Sequence, residues 1–84
     1  MNDIRHLFDE LFGKKENRQT ALLYLSSLMG HTEDPQDLPV KIRQASLLQA
    51  YLESNEVPDK DFYRQIVADI LQILSKDQHQ GGNQ

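Results

Sequence analysis

The sequence predicts an all-α protein, an antiparallel, up-down-up-down four-helix bundle with a short first helix. Apolar residues recur at helical spacing in four segments, Gly or Pro stands between them, and no segment shows sustained strand alternation. Short connections favour antiparallel neighbours in such a bundle. With 84 residues the chain makes one domain, predicted over 1–76, followed by a flexible polar tail over 77–84.

The first two helices are predicted over about 3–12 and 16–29. Gly13 follows the last apolar residue of the first helix, as a left-handed glycine at a helix C-terminus would, and Gly30 ends the second. Asn17 is the expected N-cap of the second helix, with a start at Glu16 as the alternative. The apolar stripe of the first helix contains Ile4, Leu7, Phe8 and Leu11. The stripe of the second contains Ala21, Leu22, Leu25, Leu28 and Met29.

The third and fourth helices are predicted over about 38–54 and 59–76. Pro39 is tolerated in a first turn, and Asp59 is the expected N-cap of the last helix. The stop of the third helix is expected over 54–58, where Asn55 tolerates a left-handed turn. The fourth stripe is broad, so we expect this helix to be the most buried. Apolar positions of the third helix are Val40, Ala45, Leu47, Leu48, Tyr51 and Leu52. Those of the fourth are Phe62, Ile66, Ile70, Ile73 and Leu74, with Tyr63, Val67 and Leu71 beside them.

The amino-acid composition and the net charge exclude some classes of function and disfavour others. The chain has no Cys, which excludes a disulfide scaffold, a thiolate zinc site and a cysteine nucleophile. The formal charge of -4 disfavours binding to phosphate backbones. No apolar run approaches the roughly 20 residues needed to cross a bilayer, and the first residues lack a secretory apolar region. We therefore expect a cytoplasmic protein.

Neither a catalytic, a metal nor a cofactor site is predicted. The acidic loop over 31–37 lacks the ligand pattern of an EF-hand, so a solvated loop is the better interpretation. The Ser residues have no nucleophile elbow around them, and no Gly-rich phosphate loop exists. The three His lie in different elements, so no two of them stand one helical turn apart: His6, His31 and His79.

Basic residues leave weaker possibilities open. Lys14, Lys15 and Arg18 cluster at the first turn, where about 1 kcal/mol each would give only transient contact with an anionic membrane. Lys41 and Arg43 on the third helix are a thin basis for a recognition helix, so we expect no nucleic-acid partner. An ordinary charged solvent face is the favoured interpretation of Lys41 and Arg43.

The residues at the start of the third helix and in the turn before the fourth match a known family pattern. The stretch over 37–52, DLPVKIRQASLLQAYL, opens a helix on Leu-Pro-Val, and NEVP at 55–58 precedes a final amphipathic helix. In this the chain resembles the enterocin A-type immunity proteins of lactic acid bacteria and streptococci, which protect a cell from pediocin-like (class IIa) bacteriocins. That family has four antiparallel helices, a hydrophobic-Pro-hydrophobic entry to helix 3 and a short turn before helix 4. The resemblance spans about 3–76, with its specific part over 37–74.

The resemblance implies a protein that contacts the inner face of the cell membrane transiently and leaves the toxin covalently unchanged. Its implied partner is the membrane sugar permease, of the mannose phosphotransferase type, that the bacteriocin has engaged. Binding only the closed receptor–toxin complex shifts the population toward that state. We expect a monomer. The residues that the resemblance implies as contacts with this partner are Lys41, Arg43, Lys60 and Arg64.

A small helical adaptor or regulatory protein is the alternative function. It would act by binding proteins or, less favoured, nucleic acid, whereas an enzyme ranks third because no catalytic constellation is visible. Salt-sensitive binding to nucleic acid that is lost on changing Lys41 and Arg43 to Glu would distinguish this alternative from immunity.

Overall fold

A computed structural model describes residues 4–30 and 36–82, with side chains described up to Lys76. The helices are α1 (Ile4–Phe12), α2 (Arg18–Met29), α3 (Asp37–Ser54) and α4 (Lys60–Gly82), with a single 3-10 turn at Lys15–Asn17. The described ranges contain no strand. The predicted all-α four-helix bundle with a short first helix is therefore confirmed.

The pair α3 and α4 forms the most extensive helix contact in the bundle. It is antiparallel, because Glu53 near the end of α3 pairs with Arg64 near the start of α4. α4 also packs on α2, and α1 packs on both α2 and α3. Arg18 at the start of α2 pairs with Asp59 just before α4, so these two helices begin at the same end of the bundle.

One core receives side chains from all four helices. Phe8 packs edge-to-face on Phe12, with ring centroids 6.2 Å apart, and Phe12 does the same on Tyr63 at 4.9 Å. Such pairs add about 0.5–1.5 kcal/mol beyond the area they bury. A nine-residue helix is too short to be stable alone, so these two Phe residues hold α1 in place. The buried apolar residues are Phe8, Leu11, Phe12, Ala21, Leu25, Leu28, Ala45, Leu48, Tyr51, Leu52, Tyr63, Val67, Ile70 and Leu74.

Gly30 follows α2 as predicted, whereas Gly13 ends α1 without the predicted left-handed conformation. Neither Gly13 nor Gly30 has a positive φ, and Gly30 is extended at φ -62 and ψ 154. The Gly13 N–H donates to the Asp9 carbonyl at 3.0 Å, and a Cβ added at Gly13 would lie 2.6 Å from that oxygen. Close backbone approach, not a left-handed conformation, is what requires glycine after α1.

Two asparagines lie at the predicted helix boundaries, and each acts through its side-chain amide. Asn17 occupies the N-cap position of α2 without a side-chain cap bond, and its Nδ2 donates to the Glu10 carbonyl at 2.8 Å. Asn55 is extended at φ -130, and its Nδ2 donates to the Tyr51 carbonyl at 2.9 Å. Each amide therefore satisfies a carbonyl at the end of the preceding helix.

The left-handed residue of the α3–α4 turn is Asp59, with φ 57. Its carbonyl accepts the Tyr63 N–H at 3.0 Å, so Asp59 immediately precedes α4, as predicted. The carboxylate points to Arg18 rather than into the first turn. Asp3, the first residue of the first helix as predicted, lies outside the described residues.

Helix α4 extends to Gly82, beyond the end predicted at Lys76, so the polar segment over 77–82 is helical. Residues 77–80, DQHQ, carry no apolar side chain, so the hydrophobic periodicity stops there. They also contain no Pro or Gly, so nothing in the sequence interrupts the backbone hydrogen bonds before Gly81 and Gly82. Residues 83–84 of the predicted tail lie outside the described part of the chain.

The buried face of α4 is rotated relative to the predicted one. It consists of Tyr63, Val67, Ile70 and Leu74, whereas Phe62 and Ile73 are 42% and 43% exposed. A broad apolar stripe does not determine which of its residues are buried most deeply. The packing of α4 against α2 and α3 determines this. Four more residues predicted in stripes are 40–53% exposed: Leu7, Met29, Val40 and Leu47.

Candidate functional site

Arg64 lies in a groove between α3 and α4 and is held by two carboxylates. Its Nε and Nη2 approach Glu53 Oε2 at 3.1 and 3.0 Å, and its Nη1 lies 3.7 Å from Asp61 Oδ1. All three side chains are substantially exposed, so each pair contributes only about 0–1 kcal/mol. The groove has a volume of about 390 Å³, and its other lining residues are Gln49, Gln65 and Ala68.

The remaining predicted contacts differ in their surroundings. Lys60 Nζ lies 3.7 Å from Glu56 Oε2. Lys41 Nζ donates to the Gly30 carbonyl at 3.0 Å, where a cation suits the C-terminal end of α2. Arg43 is exposed and makes no ion pair within 4–30 and 36–76.

The structure does not bring the four basic residues into one cluster. Lys60 and Arg64 stand one turn apart at the start of α4, beside the end of α3. Lys41 and Arg43 lie near the start of α3, and a rise of about 1.5 Å per residue puts Lys41 roughly 18 Å from Glu53. A single partner must therefore span the α3–α4 hairpin to contact both groups.

Two of the basic residues at the first turn are already paired. Lys14 Nζ donates to Glu10 Oε2 at 2.9 Å, and this hydrogen bond raises the pKa of Lys14. Arg18 pairs with Asp59, and its guanidinium carbon lies 4.8 Å from the centroid of the Phe62 ring. Carboxylates beside these cations weaken the attraction that they would offer to an anionic membrane.

A second concave region lies between α1 and α3. There the Tyr51 hydroxyl donates to Asp9 Oδ1 at 2.6 Å, beside Arg5, His6 and Asn55, around a volume of about 250 Å³. Burial, followed by the bond to Asp9, raises the pKa of Tyr51 well above its usual 10.0. A phenol held protonated in this way serves as a hydrogen-bond donor at neutral pH, not as a base.

Sequence reasoning missed this contact between Tyr51 and Asp9. It assigned Tyr51 to the apolar positions of the third helix, which its burial supports, and it named no partner for the Tyr51 hydroxyl. The two residues are 42 positions apart, and helical periodicity reports only which residues share a helix face.

Tyr24 differs from Tyr51 in the surroundings of its hydroxyl. Its ring packs on Phe8 and Phe12, with centroids 6.2 Å away in each pair, but its buried hydroxyl has no hydrogen-bond partner among the described residues. Burial raises the pKa of Tyr24. An orphaned hydroxyl costs stability and contributes nothing visible to a site.

Within residues 4–30 and 36–76, no group of three or more His, Cys, Asp or Glu side chains is placed to hold a metal ion. The acidic loop considered for a cation falls largely on 31–35, outside the described residues. In the part of the chain that is described, no helix combines the length and the apolar composition needed to cross a membrane.

The chain has no significant match among protein-family models, curated proteins or solved structures.

Proposed function

We propose that this protein is an immunity protein that protects the cell from a pediocin-like bacteriocin. It acts by binding, without covalent change, to the complex of the toxin with a membrane sugar permease on the inner membrane face. The observation that carries the proposal is the order and extent of the helices. α3 opens on Leu38-Pro39-Val40, and α4 begins after a short turn, in the order that the family pattern requires.

The mechanism is linkage. A protein that binds the closed permease–toxin complex more tightly than the open one lowers the open fraction in proportion to that preference. Changing a 99:1 excess of open complexes into a 99:1 excess of closed ones needs a preference of about 10⁴-fold. A small bundle can supply this through surface contacts alone, with no reaction at the toxin.

Arg43 is the candidate contact that is best suited to test the proposal. Lys60 and Arg64 face carboxylates of this chain, and Lys41 donates to the Gly30 carbonyl. A partner using those three must replace an existing interaction, whereas Arg43 can pair with a partner's acid without breaking an ion pair of the described chain.

The test is expression in a strain sensitive to class IIa bacteriocins, challenged with a panel of such peptides. Protection should raise the inhibitory concentration of at least one peptide about tenfold or more, which corresponds to about 1.4 kcal/mol of binding preference. Arg43→Glu should reduce protection. Lys76→Glu is the matched control, because it makes the same charge change at an exposed position of α4. Unchanged killing across the panel, with the protein present at full level, would contradict the proposal.

Binding can be measured apart from survival. Inverted membrane vesicles carrying the permease should retain the protein when bacteriocin is bound and release it when bacteriocin is absent. Retention that is equal in both cases, or missing in both, would contradict the linkage mechanism.

The adaptor function is the second candidate, and exposed apolar side chains favour it. Leu23, Met29 and Val40 are 50–66% exposed, and such residues contact partner proteins when they form a continuous patch. An adaptor of this kind leaves bacteriocin killing unchanged, so the survival assay separates the two functions.

A further inference from the structure

A row of uncovered side chains runs along the outer side of α3. Val40 and Leu47 are 53% and 40% exposed, and at about 100° per residue they lie only about 20° apart around the helix axis. Arg43 and Ala50 are also exposed and lie within about 80° of both. We call these four residues the α3 stripe. Leu52, on the opposite side of the helix, is fully buried.

The α3 stripe contains no acid, although the chain carries a formal charge of -4. Residues 38–52 include neither Asp nor Glu. The acids at the two ends of α3, Asp37 and Glu53, lie about 60° or more from every residue of the stripe, and Glu53 pairs with α4. Asp9, which faces α3 from α1, accepts a hydrogen bond from α3 itself. Arg43 makes no ion pair in the part of the chain whose side chains are described. The stripe therefore offers apolar contacts around one cation.

We propose that the α3 stripe binds an amphipathic helix of a partner protein that presents an acidic side chain between two apolar ones. Val40 and Leu47 pack on the apolar side chains of that helix, and the Arg43 guanidinium pairs with its carboxylate. The inference rests on the proposed function, which uses Arg43 as a partner contact. It adds the class of the partner segment and the two apolar contacts beside the cation.

The shape of the α3 stripe fits a helix that lies along α3. The stripe is about 80° wide, and Val40 and Leu47 are separated by about 10 Å, or two helical turns. Two helices that lie side by side contact each other through rows of this kind. A matching partner helix carries apolar residues two turns apart and an acid one turn after the first of them.

Two other occupants fit the α3 stripe less well. In a two-fold dimer through the stripe, the two Arg43 side chains come close together and repel, because Arg43 lies between Val40 and Leu47. An anionic membrane is bound by clusters of basic residues. The stripe has a single cation, and neighbouring Lys41 donates to the Gly30 carbonyl. An acidic helix meets both the charge and the apolar contacts of the stripe.

The small size of the α3 stripe sets the expected affinity. Stable protein interfaces usually bury about 800 Å² on each partner, more than two half-exposed apolar side chains and one Arg supply. An isolated stripe should therefore bind weakly, with a dissociation constant of about 0.1–1 mM. An exposed ion pair changes affinity only a few-fold, so the contribution of Arg43 must be measured by reversing its charge.

The test uses two synthetic peptides and the full chain labelled with ¹⁵N. Each peptide is an amphipathic helix of about 18 residues, long enough to be partly helical in water. The acidic peptide has Leu at two positions two turns apart with Glu between them, and the basic peptide has Lys in place of that Glu. Amide chemical shifts, followed to about 2 mM peptide, locate the contact and give the dissociation constant.

The acidic peptide should shift amides along the α3 stripe and bind at least threefold more tightly than the basic peptide. This preference is informative because the formal charge of -4 would by itself favour the basic peptide. Arg43→Glu should reverse the preference. Leu47→Glu should weaken binding of the acidic peptide at least fivefold. Leu23→Glu is the matched control, because it makes the same change at an exposed position of α2, and it should leave binding unchanged. Urea unfolding of each variant shows that it is folded.

Binding of the basic peptide as tightly as the acidic one, or of neither, would overturn the proposal. So would a dissociation constant that Arg43→Glu and Leu47→Glu leave unchanged. Sedimentation equilibrium of the chain alone and binding to phosphatidylglycerol vesicles test the other occupants. Association in either that Leu47→Glu abolishes and Leu23→Glu does not would assign the α3 stripe to a second copy or to a membrane, and would also overturn the proposal.

The survival assay with bacteriocins remains a separate measurement. Protection from a bacteriocin without preference for the acidic peptide would contradict the partner class inferred for the α3 stripe and leave the immunity function standing. Preference for the acidic peptide without protection would contradict immunity and leave the binding of acidic helices standing.

Discussion

The Tyr51 hydroxyl donates a 2.6 Å hydrogen bond to Asp9 Oδ1 and so joins α3 to α1 across 42 residues of sequence. The Tyr51 ring also packs on Phe8, with centroids 5.4 Å apart. One side chain thus holds the shortest helix by both an apolar and a polar contact. Because α1 cannot persist alone, this contact contributes to the cooperativity of the whole bundle.

Tyr51→Phe should lower the free energy of unfolding by about 1–2 kcal/mol. The substitution keeps the ring and removes only the hydrogen bond to a charged acceptor, which is worth about 1.5–3 kcal/mol at full burial and less beside exposed Asp9. Urea unfolding at neutral pH measures the change. A variant as stable as the wild type would show that the hydroxyl bond contributes nothing net.

Tyr24→Phe is the matched variant with the opposite expectation. Its hydroxyl is buried without a partner, so removing it should leave stability unchanged or raise it by about 1 kcal/mol. The same urea titration compares it directly with Tyr51→Phe. A loss as large as that of Tyr51→Phe would mean that the Tyr24 hydroxyl finds a partner in the folded protein.

Alkaline pH should destabilise the fold through its tyrosines. Burial raises the pKa values of Tyr24, Tyr51 and Tyr63 above 10.0, so the folded state holds these protons more tightly than the unfolded state does. Their contribution is complete below about pH 10 and is lost as the pH rises above it. Urea unfolding between about pH 8 and pH 11 measures the slope, which should be shallower in Tyr51→Phe. An identical slope in both proteins would contradict this assignment.

The spacing of apolar residues is enough to predict the four helices but not the contacts between them. Apolar spacing placed α3 within one residue of its observed start and at its observed end. It gave no information on which acids would face Arg18 or Arg64, because those ion pairs join different helices. The same limit explains why Phe62, on the edge of a broad stripe, was predicted in the core.

Turn chemistry was harder to predict than helix position. Glycine and asparagine are the usual left-handed residues, so Gly13 and Asn55 were the natural candidates for that conformation. The observed left-handed residue is Asp59, which both tolerates this conformation and pairs with Arg18. The pairing is long-range, and no local pattern reports it.

Gly13→Ala and Gly30→Ala should differ in their effect on stability. A Cβ at Gly13 would lie 2.6 Å from the Asp9 carbonyl oxygen, so the backbone must shift, and we expect a loss of about 1–3 kcal/mol. At Gly30 the nearest atom, the Ser27 carbonyl oxygen, is 3.5 Å away, which is ordinary contact. Thermal unfolding should therefore show a lower midpoint for Gly13→Ala alone. Equal midpoints for both variants would contradict the close approach at Gly13.

Substitutions at Asp59 separate backbone strain from ion pairing. Asp59→Ala removes the pair with Arg18 and leaves an alanine at φ 57, where the conformation costs about 1–2 kcal/mol. Asp59→Asn tolerates that conformation and loses only the half-exposed pair, worth about 0–1 kcal/mol. Asp59→Gly also loses the pair but removes the strain, apart from the added chain entropy of glycine. Urea unfolding should therefore rank Ala as the least stable of the three.

Salt provides the control for the Asp59 series. Raising the ionic strength should shrink the difference between the wild type and Asp59→Asn, because an exposed pair is screened, and should leave the difference between Asn and Ala unchanged. If Asp59→Gly is instead as unstable as Asp59→Ala, and salt removes both losses, then the Arg18–Asp59 pair and not the left-handed backbone controls the stability of this turn.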